Sequence, residues 1–580
     1  MIDSCSPLRT PMNLCGLWEM TEDREENLIP YAAEFERRTR RRVTLPADIG
    51  TLIPERPFAE GVFWFLRSFE MPLSDDSQRR IILHFDSVNY ETSVFVNDSF
   101  VGSSHLGFLP FEFDITSVFR PNAKNTVLVR VDTRRYSGQF PTSFFWRNAG
   151  GITRDIYVYT TPESYIISSH ATAHADGNAE ISVKLSGIDE RSPYALKLNM
   201  TDPCGETVYS SDLTALAGEQ IIPVKIEKPA LWSPESPDLY RISVELYAGN
   251  KIVDRTTYQT GFRDIAVHDG KIWLNGSEIF LKGFNRHEDH PNSGGACSAA
   301  SVESDFTIIK QSGANFIRMC HYPHDERELE AADRLGILLL VEIPLCAYNQ
   351  DHIGITDGTA CGNVEKVYNS ARKSLERMIA RDRSHPSIII WSVSNETGEN
   401  RPDGEKVIRL NNSLMQVAKA MDPSRLAVHV SNHPKDEKRG TFFTEDDIIC
   451  INIYPSISNP GHGSPQKAAE GAKDIQNVIR DLQSLYPGKP LIVTEFGYRS
   501  SSSFDGPDDE ENQAVSVVTE LKAIYECASG ASVWIFADHL WPQCSYLQDD
   551  ESIARYGLLK RDRTPKKAFD SYSRCMKELQ

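Results

Sequence analysis

Two glutamates, Glu396 and Glu495, each stand at the end of a short apolar segment in the C-terminal half of this 580-residue chain. Hydrolysis of a glycosidic bond uses two carboxyl groups: one protonates the leaving oxygen, and the other attacks the anomeric carbon or activates water. Glu396 follows Asn395, and Glu495 follows Thr494. A single glutamate in such a place is often a structural ion-pair partner. Two of them, on separate strands, predict a pair that acts on a sugar bond.

Other polar or aromatic side chains follow further apolar segments of the same half. They are Asn285, Arg286 and His287 after the first segment, Arg318 and His321 after the second, Tyr454 after the sixth, and Trp534 in the eighth. If the segments are parallel barrel strands, their C-terminal ends meet at one open face. We therefore expect these side chains to line one pocket. The alternative for the first group is that it braces the rim through buried hydrogen bonds.

Eight apolar segments that alternate with helical patterns predict the barrel itself. The predicted strands are Ile279–Gly283, Phe316–Met319, Ile337–Glu342, Ile388–Trp391, Leu426–Val430, Ile448–Ile453, Leu491–Thr494 and Val533–Phe536. Before them, short alternating runs separated by Asp, Asn, Gly and Pro are typical of antiparallel β-structure. The predicted domains are a β-sandwich over 1–165, a second small sandwich over 166–268, and a (β/α)8 TIM barrel over 269–580.

The motifs of this sequence resemble glycoside hydrolase family 2, the β-galactosidase and β-glucuronidase group. They are Gly283–Asp289, Asn315–Arg318, His321–Pro323, His385–Ser387, Asn395–Glu396, Thr494–Gly497 and, in the N-terminal half, Phe145–Ile152 and Leu231–Pro234. The resemblance covers nearly the whole chain. It implies a jelly-roll sandwich of the sugar-binding type, an immunoglobulin-like sandwich and a catalytic barrel. It also implies hydrolysis of a terminal β-linked sugar with retention of configuration.

The resemblance also assigns roles to individual residues. Glu396 is implied to be the general acid/base and Glu495 the nucleophile. The implied substrate-pocket residues are Asn395 at the sugar 2-hydroxyl, Tyr454 against the nucleophile, and His321 and Trp534 around the terminal sugar, with Arg318, Asn285, His287 and Arg555 as further candidates. The sequence leaves two other functional hypotheses open. They are an endo-acting barrel glycosidase and a carbohydrate-binding homologue without activity.

Family members that cleave glucuronides carry an Asn-x-Lys that binds the substrate carboxylate just before a glycine. Here Ala554, Arg555 and Tyr556 precede Gly557, so both the Asn and the Lys are missing. A carboxylate buried without a partner is costly. We therefore expect a neutral terminal sugar, with β-galactoside first, and the acidic run Gln548–Glu551 favours the same choice. A β-glucuronide or β-galacturonide is the alternative, because Arg555 could bind a carboxylate if it turned inward.

Composition excludes several other classes of protein. The net charge of −19 argues against a nucleic-acid surface, which needs clustered Lys and Arg. No apolar stretch is long enough for a membrane helix. Because Met1–Cys5 lack the basic start and apolar segment of a secretory signal, no such signal is expected. With 11 cysteines in no paired spacing, a reducing, cytoplasmic location is expected. A homo-oligomer, a dimer or tetramer, is implied by the resemblance alone.

Four histidines near the expected pocket, His287, His290, His321 and His324, raise the question of zinc. Their spacing does not match that of a dedicated zinc site. No cofactor is therefore expected, although some relatives bind Mg²⁺ or Na⁺ near the acid/base. Cys320, beside His321, is expected to be a buried small side chain rather than a nucleophile.

Overall fold

The structure is a computed structural model that describes residues 9, 11–73, 79–134, 140–141, 149–189, 194–346, 364–400, 404–455, 465–500, 509–541 and 553–579. The described chain forms two antiparallel sandwiches followed by a closed barrel of eight parallel strands. The predicted fold class is therefore confirmed. Two stretches used in the sequence analysis, the start of the Phe145–Ile152 motif and the run Gln548–Glu551, lie outside the described residues.

The first sandwich packs a six-stranded sheet, of order β3-β2-β4-β10-β7-β8, against a four-stranded sheet, of order β1-β12-β5-β9. Alternate residues of the two sheets meet in one apolar core, as the period-2 pattern predicts. Its elements are β1 (Met12–Asn13), β2 (Gly16–Glu22), α1 (Ala32–Phe35), β3 (Arg41–Leu45), α2 (Ile49–Leu52), β4 (Val62–Glu70), β5 (Arg79–Phe85), β6 (Val88–Asn89), β7 (Glu91–Val96), β8 (Ser99–Ser104), β9 (Phe111–Asp114), β10 (Lys124–Asp132), β11 (Gly151–Ile152) and β12 (Ile156–Pro162).

The second sandwich has a three-stranded sheet, β13-β14-β17, and a four-stranded sheet, β16-β15-β18-β19, around its own core. Its strands are β13 (Tyr165–Ala173), β14 (Asn178–Ser186), β15 (Tyr194–Thr201), β16 (Thr207–Thr214), β17 (Gly218–Lys225), β18 (Tyr240–Ala248) and β19 (Lys251–Thr260). Arg263, just after β19, joins it to the barrel by donating to the carbonyls of Pro386 and Ile388.

The barrel domain begins with a small antiparallel sheet and continues into the closed barrel β23 to β30. Its elements are β20 (Ile265–His268), β21 (Lys271–Leu274), β22 (Ser277–Glu278), β23 (Leu281–Arg286), α3 (Ala299–Gln311), β24 (Phe316–Met319), α4 (Glu326–Leu335), β25 (Leu338–Glu342), α5 (Val364–Asp382), β26 (Ile388–Asn395), α6 (Gly404–Met421), β27 (Leu426–Ser431), β28 (Ile449–Asn452), α7 (Pro465–Leu485), β29 (Leu491–Phe496), α8 (Asp509–Tyr525), β30 (Gly530–Val533), β31 (His539–Leu540), β32 (Ile553–Ala554) and α9 (Lys567–Glu578).

Two predicted strands were displaced. The eighth, predicted as Val533–Phe536, is Gly530–Val533, because Leu281 of β23 pairs with Gly530. Three of its four residues are Gly530, Ala531 and Ser532, which give no strongly apolar run in the sequence. The first, predicted from Ile279, begins at Leu281 and runs to Arg286, since Ile279 hydrogen-bonds back to Ile272 of the preceding sheet.

The interior of the barrel changes from apolar to polar along its axis. Near the amino ends of the strands, side chains such as Phe316, Leu338 and Ile492 form an apolar cluster. Ile272 and Trp232, from outside the barrel strands, complete this cluster. Two to four residues further along, the strands carry polar side chains, among them Asn285, Arg318, Glu342, Asn452 and Thr494. Residues two or four positions apart on a strand point to the same side of the sheet. These polar side chains therefore point into the barrel interior, as the apolar ones do. The functional site is therefore expected at this end.

No helix in the described ranges is long and apolar enough to cross a membrane.

Candidate active site

Glu495 lies within β29, and two strong donors hold its carboxylate. Arg318 Nη1 donates to Oε1 at 2.6 Å, and the Tyr454 hydroxyl donates to Oε2 at 2.6 Å. The Nε2 atom of His321 is 3.8 Å from Oε1. A carboxylate that accepts charge-assisted hydrogen bonds is stabilised as the anion. Arg318 and Tyr454 thus orient the Glu495 carboxylate and favour its ionised form.

Glu396 follows the last residue of β26 and adopts a left-handed backbone, with φ of 53°. Its amide donates to Val430 O at 2.8 Å. Its carboxyl accepts from Asn452 Nδ2 at 2.6 Å and from Asn432 Nδ2 at 3.0 Å. A non-glycine residue in this backbone region is strained and needs surrounding contacts to hold it. The strained backbone thus occurs at a residue that is predicted to be catalytic.

The two carboxyls differ in protonation. Burial and, after it, the charge of Glu495 together raise the pKa of Glu396 to about 8, against the opposing hydrogen bond from Asn452. At neutral pH Glu396 therefore carries a proton beside the anionic Glu495. This pairing of a protonated and an ionised carboxyl is what glycoside hydrolysis requires.

Arg318 occupies the centre of the site but is fully buried. Besides Glu495, its guanidinium donates to Asn285 Oδ1 at 3.0 Å, to Asn395 Oδ1 at 2.7 Å and to Glu342 Oε2 at 3.1 Å. Burial alone would lower the pKa of Arg318, but Glu342 and Glu495 raise it. Arg318 and Asn285 were predicted to bind substrate. Both side chains are fully buried: Arg318 holds Glu342 and Glu495, and Asn285 holds Arg318, while their contact with substrate stays a prediction.

Asn395, the last residue of β26, is held on both sides of its amide. Its Oδ1 accepts from Arg318 and from Asn452 Nδ2, the latter at 3.1 Å, and its Nδ2 donates to Cys346 Sγ at 3.2 Å. These contacts fix the amide between the two carboxyls. Its contact with a sugar 2-hydroxyl stays a prediction.

Aromatic rings form one wall beside the carboxyls. Trp534, directly after β30, stacks on His321 with ring centroids 5.4 Å apart and planes 18° apart. His287 meets Trp534 edge to face at 5.4 Å. Tyr454 meets Tyr556 edge to face at 6.3 Å. The structure thus brings the predicted His287, His321, Tyr454 and Trp534 to one place.

Arg555 lies between two buried neighbours, Ala554 and Tyr556, and is itself only partly buried. Its backbone carbonyl accepts from Ser500 N at 3.0 Å. Burial raises the pKa of Asp538, while Lys566 and Arg555 are among the groups that oppose the rise, so the charge of Arg555 acts near Asp538. Tyr556, not Arg555, joins the cluster of Cys320, Trp534 and Tyr454.

Gly557 allows the backbone after Tyr556 to pass very close to a neighbouring segment. A Cβ atom at this position would lie 2.0 Å from Asp538 N and 2.5 Å from Leu559 O. The backbone therefore passes so close to its neighbour that no side chain fits. This contact places Tyr556 against the site.

The structure adds residues that the site prediction omitted. Glu342 at the end of β25 and Asn452 at the end of β28 obey the strand-end rule that identified the others. Arg318, His321 and Ser392 lower the pKa of Glu342 to about 2 against the effect of burial. Asn432, directly after β27, obeys the same rule. Tyr556 does not, because it reaches the site from a loop.

Two groups of residues have the ligand atoms that could hold a metal ion: His287, Cys320 and His321, and Glu288, His324 and Glu328. In the second group, Arg154 donates to Glu288 Oε2 at 3.0 Å, and Arg286 pairs with Glu328. These ion pairs already compensate both carboxylates. The Arg154–Glu288 pair joins the first sandwich to the barrel rim, where Phe108 also stacks on Tyr322 at 4.5 Å.

Family models agree with this architecture. The model for the TIM barrel domain of glycosyl hydrolases family 2 matches residues 265–580. The chain belongs to glycosyl hydrolase family 2. The family's sugar binding domain matches residues 11–162, and its remaining domain matches residues 164–263. The predicted family and enzyme class, a glycoside hydrolase, are confirmed.

Known proteins of the family resemble this chain to different extents. A β-glucuronidase of Rattus norvegicus is 26% identical over 97% of this chain and 90% of its own length. A β-galactosidase of Thermoanaerobacter pseudethanolicus is 30% identical over 74% of this chain, which spans only 57% of that relative. The structure of a Bifidobacterium dentium β-glucuronidase complexed with coumarin-3-O-glucuronide superposes with a TM-score of 0.85, at 24% identity, over 98% of this chain and 97% of that one. The likeness to that structure establishes the shared family fold.

Proposed function

We propose that this chain is a retaining exo-β-glycosidase in which Glu495 is the nucleophile and Glu396 the acid/base. The observation that carries the proposal is the charge difference between the two carboxyls. Arg318 and Tyr454 orient Glu495 as an anion, and burial with the charge of Glu495 raises the pKa of Glu396 to about 8. An anion can attack, and a neutral acid can protonate the leaving oxygen.

The reaction follows in two steps. Glu495 attacks the anomeric carbon while Glu396 gives its proton to the glycosidic oxygen, so the aglycone leaves as an alcohol and the sugar becomes esterified to Glu495. The negative charge of Glu495 is then consumed, which lowers the pKa of Glu396. Glu396 next accepts a proton from water, which displaces Glu495 from the sugar. Two inversions give net retention.

Tyr454 supports the first step. Burial and the neighbouring Glu495 raise the pKa of this phenol well above its usual value, so it remains a donor to Glu495. Asn395, fixed between the carboxyls, would hydrogen-bond the sugar 2-hydroxyl, and the Trp534 ring would cover an apolar face of the sugar. The first sandwich packs on the rim through Arg154 and Phe108, which favours a pocket for one terminal sugar over an open cleft.

Product stereochemistry tests this mechanism. Proton NMR during cleavage of an aryl β-glycoside should show the β-anomer first. Retention also requires the two carboxyls to stand about 5–5.5 Å apart, against roughly 6.5–9.5 Å for inversion. Initial release of the α-anomer would contradict the proposal. Failure to cleave any member of a broad glycoside panel would favour an inactive homologue.

For the substrate, we propose an uncharged terminal sugar, and a β-galactoside is the first candidate. The positions of the family's carboxylate-binding Asn and Lys are Ala554 and Tyr556, both buried. Burial raises the pKa of Tyr556 to about 12, so it presents a neutral ring and hydroxyl. A uronate carboxylate placed there would lose water without gaining a cation, which is unfavourable.

The second candidate is a β-glucuronide. Several of the relatives carry that name, among them the rat protein that aligns over 97% of this chain. Arg499 also lies close enough to Tyr556 to oppose the rise of its pKa. A guanidinium that reached the pocket could replace the missing lysine.

A panel of nitrophenyl β-glycosides separates the two candidates. We expect cleavage of the β-galactoside and at least ~10-fold poorer cleavage of the β-glucuronide, since a charge-assisted contact contributes ~1.5–3 kcal/mol. The double variant Ala554→Asn/Tyr556→Lys should reverse that preference. The matched Tyr556→Met variant should not, because it removes the phenol without adding charge. Efficient glucuronide cleavage that Arg499→Ala or Arg555→Ala abolishes would establish the second candidate.

A further inference from the structure

Three loops at the barrel rim bring nitrogen and sulphur ligands together beside the proposed sugar pocket. His287 follows β23, Cys320 and His321 follow β24, and His539 begins β31 after the eighth barrel strand. Ligand atoms of His287, Cys320 and His321 lie within 4.8 Å of one another. The His539 ring centroid is 5.1 Å from that of His287. Neither the proposed mechanism nor the family resemblance uses Cys320 or His539.

The spacing of the rings suits coordination to one ion. The ring centroids of His287 and His321 are 5.5 Å apart, and those of His287 and His539 are 5.1 Å apart. With zinc–nitrogen bonds of ~2.0–2.1 Å and tetrahedral angles, two imidazoles on one ion have centroids about 5 Å apart. The His287 ring therefore stands from each of the other two rings at the distance that two imidazoles on one ion would have.

His539 is the least explained member of the cluster. Its side chain is only 2% exposed, and neither ring nitrogen makes a hydrogen bond of acceptable geometry, although the Ala537 carbonyl lies near enough to influence its pKa. Beside it is a cavity of about 20 Å³ whose lining includes His287, Tyr322, His539 and Glu288 but not Cys320 or His321. That volume admits one water molecule or one ion. A buried imidazole without a partner, facing such a cavity, points to an occupant.

The surroundings keep the imidazoles available as ligands. Glu342 binds the Nδ1 atom of His321 at 2.7 Å, and the Tyr322 hydroxyl lies 3.3 Å from Nδ1 of His287. Histidines that bind metals through one nitrogen are commonly held through the other in this way.

We propose that His287, Cys320, His321 and His539 form a binding site for a divalent cation of the zinc class. Zinc prefers neutral imidazole and thiolate ligands. The Cys320 thiol, which donates to Arg286 O at 3.3 Å without the ion, would lose its proton to water as the zinc–sulphur bond forms. Binding therefore strengthens as pH rises. This ion is not a catalytic cofactor.

The site also implies inhibition, and this second part rests on the proposed function. His321 Nε2 is 3.8 Å from Glu495 Oε1, and the His321 ring stacks on Trp534. An ion held by His321 would place positive charge beside the nucleophile and remove a pocket wall. Occupancy and glycoside cleavage should therefore exclude each other.

Direct binding tests the site independently of activity. Calorimetry with Zn²⁺ on the full chain at pH 7.5 should show one ion per chain. Co²⁺ should give a thiolate charge-transfer band and the visible spectrum of a four-coordinate ion. Cys320→Ser should remove the charge-transfer band, and His539→Phe should weaken Zn²⁺ binding at least ~10-fold, a loss that even outer-shell changes can cause. Circular dichroism shows whether each variant folds.

The control is Cys204→Ser, which removes an exposed thiol far from the cluster. It should leave Zn²⁺ affinity unchanged. Loss of binding in this variant but not in Cys320→Ser, or a wild-type Co²⁺ complex without sulphur ligation, would overturn the proposal and leave water as the occupant. In the activity assay, Zn²⁺ should inhibit competitively, and His539→Phe should need at least ~10-fold more Zn²⁺ for the same fractional inhibition. Binding without inhibition would refute only the assigned position of the sugar pocket.

Discussion

Two buried glutamates of the barrel domain have nearly the same acidity in different surroundings. The pKa of Glu396, at the proposed active site, and the pKa of Glu520, in α8, are both raised to about 8. Glu396 is partly exposed and accepts hydrogen bonds from Asn432 and Asn452. Glu520 is 1% exposed, and neither of its carboxyl oxygens has a hydrogen-bond partner.

The causes of the two shifts differ as well. Burial alone raises the pKa of Glu520, which faces Gly471 of α7. At Glu396, burial acts together with the charge of Glu495. A perturbed pKa is therefore insufficient to identify a catalytic group. What distinguishes Glu396 is a second carboxylate that changes charge during the reaction, and a surface that a substrate can reach.

Replacing Glu495 should have the largest effect. Glu495→Gln removes the nucleophile while keeping the shape of the side chain, so kcat should fall ~10⁴-fold or more for every glycoside. In the same variant the pKa of Glu396 should fall, because its anionic neighbour is gone. Steady-state kinetics on at least three leaving groups measures the first effect. Residual turnover above one per cent would assign the nucleophile elsewhere.

Glu396→Gln and Glu520→Gln form a matched pair for activity. The first should lower kcat/KM ~10²–10⁴-fold for alkyl glycosides but much less for activated aryl glycosides, which need little protonation. Azide should partly restore it by replacing the missing base catalysis. Glu520→Gln should stay within about twofold of the wild type, as expected for a change outside the reacting groups. Equal damage across all leaving groups in Glu396→Gln would reverse the assigned roles.

Stability should depend on Glu520 although activity does not, because this carboxyl is buried without a hydrogen-bond partner. Its folded pKa of about 8 exceeds its ordinary 4.5. The unfolded chain releases this proton between those values while the folded chain keeps it. The free energy of unfolding therefore falls as pH rises through this window.

Glu520→Gln should remove that loss. Relative to the wild type, the variant should gain ~3–4 kcal/mol between pH 5 and pH 8, since one pKa unit corresponds to about 1.4 kcal/mol. Urea denaturation at both pH values, monitored by a barrel tryptophan, measures the difference. A gain that is equal at pH 5 and pH 8 would show that proton binding is not its source.

Much of the site could be predicted because the barrel obeys simple rules. Apolar segments followed by Asn395–Glu396 and Thr494–Glu495 predicted the strands and the two carboxyls, and the ends of β25 and β28 would have added Glu342 and Asn452 by the same reasoning. The eighth strand was misplaced, since Gly530 and its small neighbours lack the apolar signal. Its position depends on pairing with Leu281, which is a long-range contact.

Other features could not be read from the sequence, because they depend on side-chain direction. Arg318 was expected to touch the sugar, yet its guanidinium points into a network of Glu342, Asn395 and Glu495. The zinc question was posed on local histidine spacing, which misses His539. That residue is more than 200 positions beyond His321 and reaches the cluster only because the barrel closes.

The smallest effect is the finest test of the comparison between Glu396 and Glu520. Glu396 must be protonated to act as an acid, so kcat/KM of the free enzyme should fall tenfold per pH unit above a pH of about 8. Glu520→Gln should leave this alkaline limb where it is, because a proton on α8 takes no part in the reaction. In Glu396→Gln, assayed with an activated aryl glycoside, the limb should disappear. If instead the limb moves in Glu520→Gln and persists in Glu396→Gln, the two buried glutamates have been assigned the wrong way round.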